Sequence, residues 1–108
     1  MESFTVTLAD TDAHNLHDLL VIADAAKADP KGIDLITEFR EILILADKDN
    51  GAKNLAIGGS DVTNAIYSVL LGAGANVPFR PAKGKFWSKE RYVKASAQPL
   101  IFHVEGLV

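Results

Sequence analysis

The residues Phe4-Thr5-Val6-Thr7-Leu8 alternate strictly between apolar and polar side chains. This period of two places Phe4, Val6 and Leu8 on one face of a β-strand and the threonines on the other. A second alternating segment, Leu100 to Val104, lies near the end of the chain. Both segments therefore predict strands that bury one face.

The residues that follow the first strand predict a short helix. Asp10-Thr11-Asp12 offers side-chain oxygens for an N-cap, and Pro30 with Gly32 is expected to end the helix. Between these signals, apolar residues recur at the spacing of one helical stripe. The stripe comprises Leu16, Leu19, Leu20, Ala23 and Ala26.

The middle of the chain predicts further strands. Ile42-Leu43-Ile44-Leu45 is apolar at every position, so a strand here needs cover on both faces. Asn50-Gly51 in the turn Asp47 to Gly51 is the strongest short signal for a β-hairpin. Ile33 to Phe39 fits neither period and is expected to be a connection or a short strand.

Short strands separated by glycine-rich turns complete the pattern. The expected turns include Gly58-Gly59-Ser60-Asp61 and Gly72 to Asn76. The expected strands are Asn54 to Ile57, Ala65 to Leu71, Val77 to Phe79, Tyr92 to Ala95 and Leu100 to Val104. We therefore predict one domain over residues 1–108, an all-β, jelly-roll-like antiparallel β-sandwich with one short helix near the N-terminus.

Composition excludes several classes of function. The chain has 108 residues, of which 48% are hydrophobic and none is cysteine, so disulfides, thiol catalysis and cysteine-ligated metals are excluded. No apolar run is long enough for a membrane span, and the start lacks the layout of a signal peptide. We expect a protein made in the cytoplasm that does not act on a membrane.

Two histidines raise the possibility of a metal site. On a helix, the three-residue spacing of His14 and His17 would place both imidazoles on one face, with Asp10 and Asp18 nearby. A polar face beside the helix N-cap explains the same residues without a metal. No third ligand stands at a fixed offset, and no serine has the surroundings of a nucleophile. We therefore predict no metal, no cofactor and no enzymatic activity.

The basic segment, residues 80–91, is the most distinctive chemical feature. Residues 80–94 hold six basic and one acidic side chain, whereas residues 1–79 hold five basic and twelve acidic ones. Basic and aromatic side chains together suit a protein interface or single-stranded nucleic acid, but they also suit a solvated loop whose aromatic residues plug the sandwich. The acidic remainder of the chain disfavours nucleic acid. The residues predicted to bind a partner are Arg80, Lys83, Lys85, Phe86, Trp87 and Arg91.

Across nearly its whole length the chain resembles small structural proteins of tailed bacteriophages. These proteins share an opening strand, a D-T-x-x-x-N-L segment leading into a short helix, an N-G turn and a series of short strands. Ser68 departs from the pattern, which has a glycine after the tyrosine. The matching residues are 4–16, Asp47, Asn50-Gly51, Leu55 to Gly58, Val62 to Tyr67, Leu70-Leu71, Gly74, Arg91 to Ala95 and Leu100 to Val104.

The resemblance implies a virion component, namely a decoration or cement protein that binds the major capsid protein on the capsid surface and forms a dimer or trimer. It carries no catalytic residues over to this chain. A tail, fibre or head-completion component fits the same pattern. From other classes, a jelly roll that binds a small ligand or a carbohydrate stays open, as does a metal-dependent enzyme using His14 and His17.

Overall fold

Two larger antiparallel sheets, a separate pair of strands and a short helix form the described part of the chain. A computed structural model describes residues 2–32, 38–39, 41–59, 66–71, 86–87 and 91–107. Its strands are β1 (Glu2–Leu8), β2 (His14–Asn15), β3 (Glu38–Phe39), β4 (Glu41–Ala46), β5 (Leu55–Gly59), β6 (Ile66–Leu71), β7 (Phe86–Trp87), β8 (Arg91–Ala95) and β9 (Leu100–Leu107), and its helix is α1 (Leu16–Ala25). The prediction of a mostly β, antiparallel fold with one short helix is confirmed for these residues.

Most of the described strands pair with a strand distant in the sequence, and β5 and β6 are consecutive strands that pair with each other. One sheet has the order β1-β9-β4 and a second has the order β2-β8-β5-β6, while β3 and β7 form a separate pair. All of these pairings are antiparallel. The first strand therefore lies beside the last, and the second beside the one before the last.

The core lies between the two larger sheets, under α1. Alternation along β1 and β9 buries the predicted residues Phe4, Val6, Leu8, Phe102 and Val104. The rest of the core comes from β4, β5, β8, β9 and α1, in the residues Ile42, Ile44, Ala46, Leu55, Ile57, Val93, Ala95, Leu100, Leu16 and Leu20. Because all of these side chains belong to one cluster, the two sheets and the helix share a core.

Helix α1 begins later than predicted, and that prediction was wrong in position. Asn15 is the N-cap, and its side-chain oxygen accepts a hydrogen bond from the backbone N–H of Asp18 at 3.2 Å. Asp10 instead accepts the backbone N–H of Asp12 at 3.0 Å, which forms a turn before β2. The β2–β8 pairing fixes His14 and Asn15 as strand residues, so the helix cannot start before them.

The helix also ends before Pro30. Ala26 is the C-cap and is exposed, so it does not extend the predicted apolar stripe. Asp24, 3% exposed, accepts the backbone N–H groups of Lys31 and Gly32, each at 3.0 Å. These bonds fold the segment after α1 back onto the helix and account for a buried carboxylate.

Asn50-Gly51 is a turn, but the predicted hairpin is wrong. β4 and β5 lie in different sheets, so the segment between them carries the chain from one sheet to the other. Residues Lys48–Asn50 form one 3-10 turn, and Gly51 follows with a positive φ of 65°, which favours glycine. We call residues 47–54 the crossover.

The crossover is hydrogen-bonded to β9 through Ile101. The backbone N–H of Asp47 donates to the Ile101 carbonyl at 2.9 Å and continues the β4–β9 ladder. The amide of Asn50, only 4% exposed, donates to that carbonyl at 2.7 Å and accepts the Ile101 N–H at 2.8 Å. The Asn50 side chain therefore takes the place of a strand residue opposite Ile101.

The predicted turn at Gly58-Gly59 is also wrong, because both residues belong to β5. They pair with Tyr92 and Arg91 on β8. On the other side of β5 the register shifts, so that Ile57 pairs with Val69 and Gly58 with Tyr67. The shift leaves Ser68 as the extra residue of a β-bulge, at the position where the sequence departs from the phage pattern.

Several predictions lie outside the described residues. They are the strand Val77 to Phe79, the turn Gly72 to Asn76, the last two residues of the turn Gly58 to Asp61, and residues 33–37 of the segment Ile33 to Phe39. For α1 and the remaining described residues, no helix has the length and apolar character needed to cross a membrane.

We expect the variant Asn50→Ala to lower the free energy of unfolding by about 1–3 kcal/mol, because it leaves the partly buried Ile101 N–H without its acceptor. Urea denaturation followed by circular dichroism measures the change. Asp49→Ala is the matched control, since Asp49 is adjacent and exposed, and it should change stability by less than about 0.5 kcal/mol. Equal effects of the two substitutions would contradict the role assigned to Asn50.

Candidate functional site

The structure describes half of the residues predicted to bind a partner. Phe86 and Trp87 form β7, whose backbone pairs with Phe39 and Glu38 of β3. Arg91 is half-buried at the start of β8, where it pairs with Gly59. Arg80, Lys83 and Lys85 lie outside the described residues.

Strand pairing therefore holds the basic segment at two places. The β3–β7 ladder fixes the backbone of the two aromatic residues, and the β5–β8 ladder fixes the position of Arg91. Only three residues separate β7 from β8. At the end of the basic segment, the backbone of Phe86, Trp87 and Arg91 is therefore held in place by strand pairing.

His14 and His17, the two histidines considered for a metal site, lie in different secondary-structure elements. His14 belongs to β2, and its Nε2 lies 2.8 Å from Oδ1 of Asp10. His17 is in the first turn of α1 and is only 5% exposed. The two residues therefore do not share one helical face. Across the described ranges, no group of three or more histidine and acidic side chains is placed to hold a metal ion.

The contact between His14 and Asp10 affects the ionisation of the carboxyl group. The hydrogen bond from His14 is the main cause that holds the pKa of Asp10 below its ordinary value, and the N–H of Asp12 adds to it. Asp29 has a separate partner, Lys31, whose Nζ lies 2.6 Å from Oδ2 and lowers the Asp29 pKa in the same way. Both pairs are at the surface, where solvent screens them.

A polar cluster that the sequence did not predict lies on the outer face of the β1-β9-β4 sheet. His103, on the central strand, is directly opposite Thr5 of β1, and its Nδ1 is 3.1 Å from the threonine hydroxyl. Its Nε2 is 2.6 Å from Oδ2 of Asp47, where β4 runs into the crossover. We call Thr5, His103 and Asp47 the β9 polar cluster.

The partners of His103 specify its tautomer. A carboxylate only accepts hydrogen bonds, so Nε2 carries the proton that faces Asp47. In the neutral ring, Nδ1 then accepts the hydroxyl proton of Thr5. The other carboxylate oxygen of Asp47 accepts the backbone N–H of Asp49 at 2.8 Å and caps the 3-10 turn.

The cluster is best explained as a set of hydrogen bonds that connects three segments of the chain. A hydroxyl, an imidazole and a carboxylate in this order are also the groups of a hydrolase triad. Here, however, Thr5 lies on the exposed side of a sheet, and Asp47 is shared with the turn that it caps. Together the three side chains tie β1, β9 and the crossover to one another.

The outer face of α1 is a second feature that the sequence analysis missed. Ile22 is 68% exposed, and Ala25 and Ala26 beside it are also exposed. Between Leu19 and Ala26 the single ionisable residue is Asp24, which is buried. Asp18, one helical turn before Ile22, is exposed as well, so the outward side of α1 is apolar apart from this carboxylate. The sequence does carry a signal for this exposure, because Ile22 is an apolar residue that lies outside the predicted core-facing stripe.

Comparisons of the chain with protein-family models, with curated proteins and with solved structures found no match.

We expect Asp47→Asn to move the proton of His103 from Nε2 to Nδ1. The asparagine oxygen must still accept the Asp49 N–H, so its NH₂ group faces the imidazole and requires Nε2 as the acceptor. Ring ¹⁵N chemical shifts and two-bond ¹H–¹⁵N correlations of His103 at a pH where the ring is neutral report the tautomer. Asp49→Asn is the control and should leave it unchanged. An unchanged tautomer in Asp47→Asn would rule out this hydrogen-bond scheme.

We expect His14→Ala to raise the pKa of Asp10 toward its ordinary value, as measured by NMR titration of the side-chain carboxyl. Because the folded pKa is lowered, Asp10 contributes stability above its unfolded pKa, and this contribution is lost as the pH falls through the folded pKa. In the same variant the pKa of Asp29 should not change, whereas Lys31→Ala should raise only that of Asp29. A titration of Asp10 insensitive to residue 14 would disprove the assignment.

Proposed function

We propose that this chain is a structural protein of a tailed-phage virion, a cement or decoration protein that binds the major capsid protein on the capsid surface and acts without catalysis. The observation that carries the proposal is the nested order of strand pairs. β1 pairs with β9, β2 with β8, β3 with β7, and β5 with β6.

In a long β-hairpin, the first strand pairs with the last, the second with the last but one, and so on inward. The same nested pairs remain when such a hairpin folds over into two sheets. That arrangement is the jelly roll, an architecture found in viral capsid domains and also in lectins and cupins. We infer the jelly roll from this order and from the division of the strands between the sheets β1-β9-β4 and β2-β8-β5-β6. The architecture alone does not select a function, so the virion role also rests on the resemblance in sequence.

A cement protein needs a rigid framework and an adhesive surface, but no reactive group. The framework here is the core shared by both sheets and α1. For the adhesive surface, the proposal retains the basic segment, whose aromatic residues are fixed in β7 by pairing with β3. Arginine and aromatic residues dominate the binding energy of many protein interfaces.

The electrostatics favour an acidic target. Residues 80–94 have a net charge of +5, from six basic side chains and one acidic one, in a chain of net charge −3. A local positive surface on an acidic protein directs association toward a complementary acidic patch and speeds the encounter. Repetition over a shell then makes modest individual contacts sufficient.

The first test is the composition of the particle. Quantitative mass spectrometry of purified virions from the phage that encodes the chain should detect it in a fixed ratio to the major capsid protein. Intact tail-less capsids should retain it, whereas its recovery only with tails would favour the tail or fibre alternative. Absence from virions would refute the proposal. A purified chain that binds a carbohydrate and no capsid would replace it with the jelly-roll binding module.

The second test concerns the basic segment. We expect Trp87→Ala combined with Lys85→Glu to leave the domain folded and to abolish its co-sedimentation with capsids, since the pair removes an aromatic anchor and reverses a charge. Lys94→Glu is the charge-matched control, because Lys94 is exposed on β8 and outside the proposed set. Normal co-sedimentation of the double variant would place the adhesive surface elsewhere, and unfolding would assign Trp87 to the core.

A further inference from the structure

We propose that Asn50-Gly51 is a site of spontaneous covalent modification. Asn50 deamidates only when the crossover separates from β9, and the product prevents the crossover from regaining its native contacts. The inference concerns the crossover and does not depend on the virion role.

The sequence supplies one reactive pair. The chain holds five asparagines, and only Asn50 is followed by glycine. Deamidation begins when the backbone nitrogen of the next residue attacks the asparagine side-chain carbon, so a side chain on that residue hinders the approach. Gly51 has none and is exposed, and no atom beyond its chain neighbours lies within 4 Å of the position of a Cβ. Solvent can therefore reach Gly51 and remove the proton from its nitrogen.

The reaction consumes only water. The Gly51 nitrogen gives its proton to a solvent base and forms a bond to Cγ of Asn50. The bond between Cγ and Nδ2 breaks, and Nδ2 takes up a proton and leaves as ammonia. Water then opens the resulting five-membered succinimide at either of its two carbonyl groups, which gives aspartate or isoaspartate. Nothing is oxidised or reduced in these steps.

The native contacts of Asn50 oppose the first step. Asn50 is only 4% exposed, and its amide donates to the Ile101 carbonyl at 2.7 Å and accepts the Ile101 N–H at 2.8 Å. Attack on Cγ ends the planarity of the amide, so the two hydrogen bonds that lie in its plane must break. Deamidation therefore starts from the form in which the crossover has left β9. Its rate in the folded protein is the rate in the unfolded chain multiplied by the population of that open form.

The product cannot restore the native contacts. An aspartate carboxylate only accepts hydrogen bonds, so one of its oxygens would face the Ile101 carbonyl where Nδ2 had donated. Burial of that charge without a donor is also unfavourable. In isoaspartate the main chain is longer by one methylene group, which displaces the side chain. Either product therefore makes the opening of the crossover irreversible.

The first test compares the folded and unfolded chain. The full chain is kept in mildly alkaline buffer with and without denaturing urea, and peptide mapping by mass spectrometry follows each asparagine. Asn50 should react at least about tenfold more slowly in the folded protein than in urea. In urea it should react faster than Asn54, which is followed by leucine. Equal rates of Asn50 in the two solutions, or no preference for Asn50 over Asn54 in urea, would overturn the proposal.

A second test loosens the crossover without changing the reactive pair. Ser96→Ala removes the acceptor of the Asn54 N–H, which lies 2.8 Å from the Ser96 hydroxyl. Deamidation of Asn50 in the folded variant should become at least about threefold faster, because the open form gains population, and the rate in urea should stay the same. Ser3→Ala, exposed on β1, is the matched control and should leave both rates unchanged. A folded Ser96→Ala that reacts like the wild type would contradict gating by the crossover.

The third test concerns the product. Asn50→Asp reproduces one product, and hydrogen exchange of the Ser96 N–H, which donates to the Asn54 carbonyl at 3.0 Å, reports the separation of the crossover. This exchange should be at least about tenfold faster than in the wild type. Asn15→Asp is the matched control, since aspartate also caps a helix such as α1, and it should not change the exchange. Unchanged exchange in Asn50→Asp would overturn the irreversible step. The comparison with urea uses the wild-type chain and so does not require that either variant folds.

Discussion

The side-chain amide of Asn50 forms hydrogen bonds with both the backbone C=O and the backbone N–H of Ile101, and the path of the chain depends on this contact. Asn50 is nearly completely buried at the point where the chain leaves the β1-β9-β4 sheet. Without it, the partly buried N–H of Ile101 would have lost its acceptor at the end of the β4–β9 ladder. Two further contacts then bring the crossover to the turn between β8 and β9. Asn54 exchanges hydrogen bonds with Ser96 at 2.8 and 3.0 Å, and Lys53 donates to the Pro99 carbonyl at 2.7 Å.

Local patterns predicted the longer described strands, but neither the two-residue strands β2 and β7 nor which strands pair with each other. The period of two in β1 and β9 correctly identified which side chains face the core, because burial of one face is a property of each strand taken alone. Asn50-Gly51 was correctly recognised as a turn, yet the hairpin inferred from it was wrong. A hairpin signal describes the bend and assumes that the flanking strands pair with each other. Here β4 has β9 as its partner, and the paired residues of the two strands are 56 positions apart at Ala46 and Phe102 and 66 apart at Glu41 and Leu107.

The same limit explains what was missed in the candidate sites. Alternation placed Thr5 and His103 on outward faces, but it could not show that they lie opposite each other, since register is set by pairing between the two ends of the chain. The sequence predicts Asp47 in a turn, which it does cap, and its second carboxylate oxygen lies 2.6 Å from Nε2 of His103. The N-cap was misplaced for a related reason. Both Asp12 and Asn15 suit a cap, and the pairing of His14 and Asn15 with β8 decides between them.

The charge of the chain bears on the kind of partner that the proposed function requires. Opposite charges act over several ångströms and select partners during encounter, so under that proposal the basic segment directs the chain to a distinct acidic protein. Apolar contacts act only at short range and have no sign, so they add affinity once the two surfaces have met. On the same proposal, the two aromatic residues of the basic segment, whose backbone is fixed by the β3–β7 pairing, supply such contacts beside the charges. Binding of this kind needs no reacting group, so a core shared by two sheets and α1 is a sufficient framework for it.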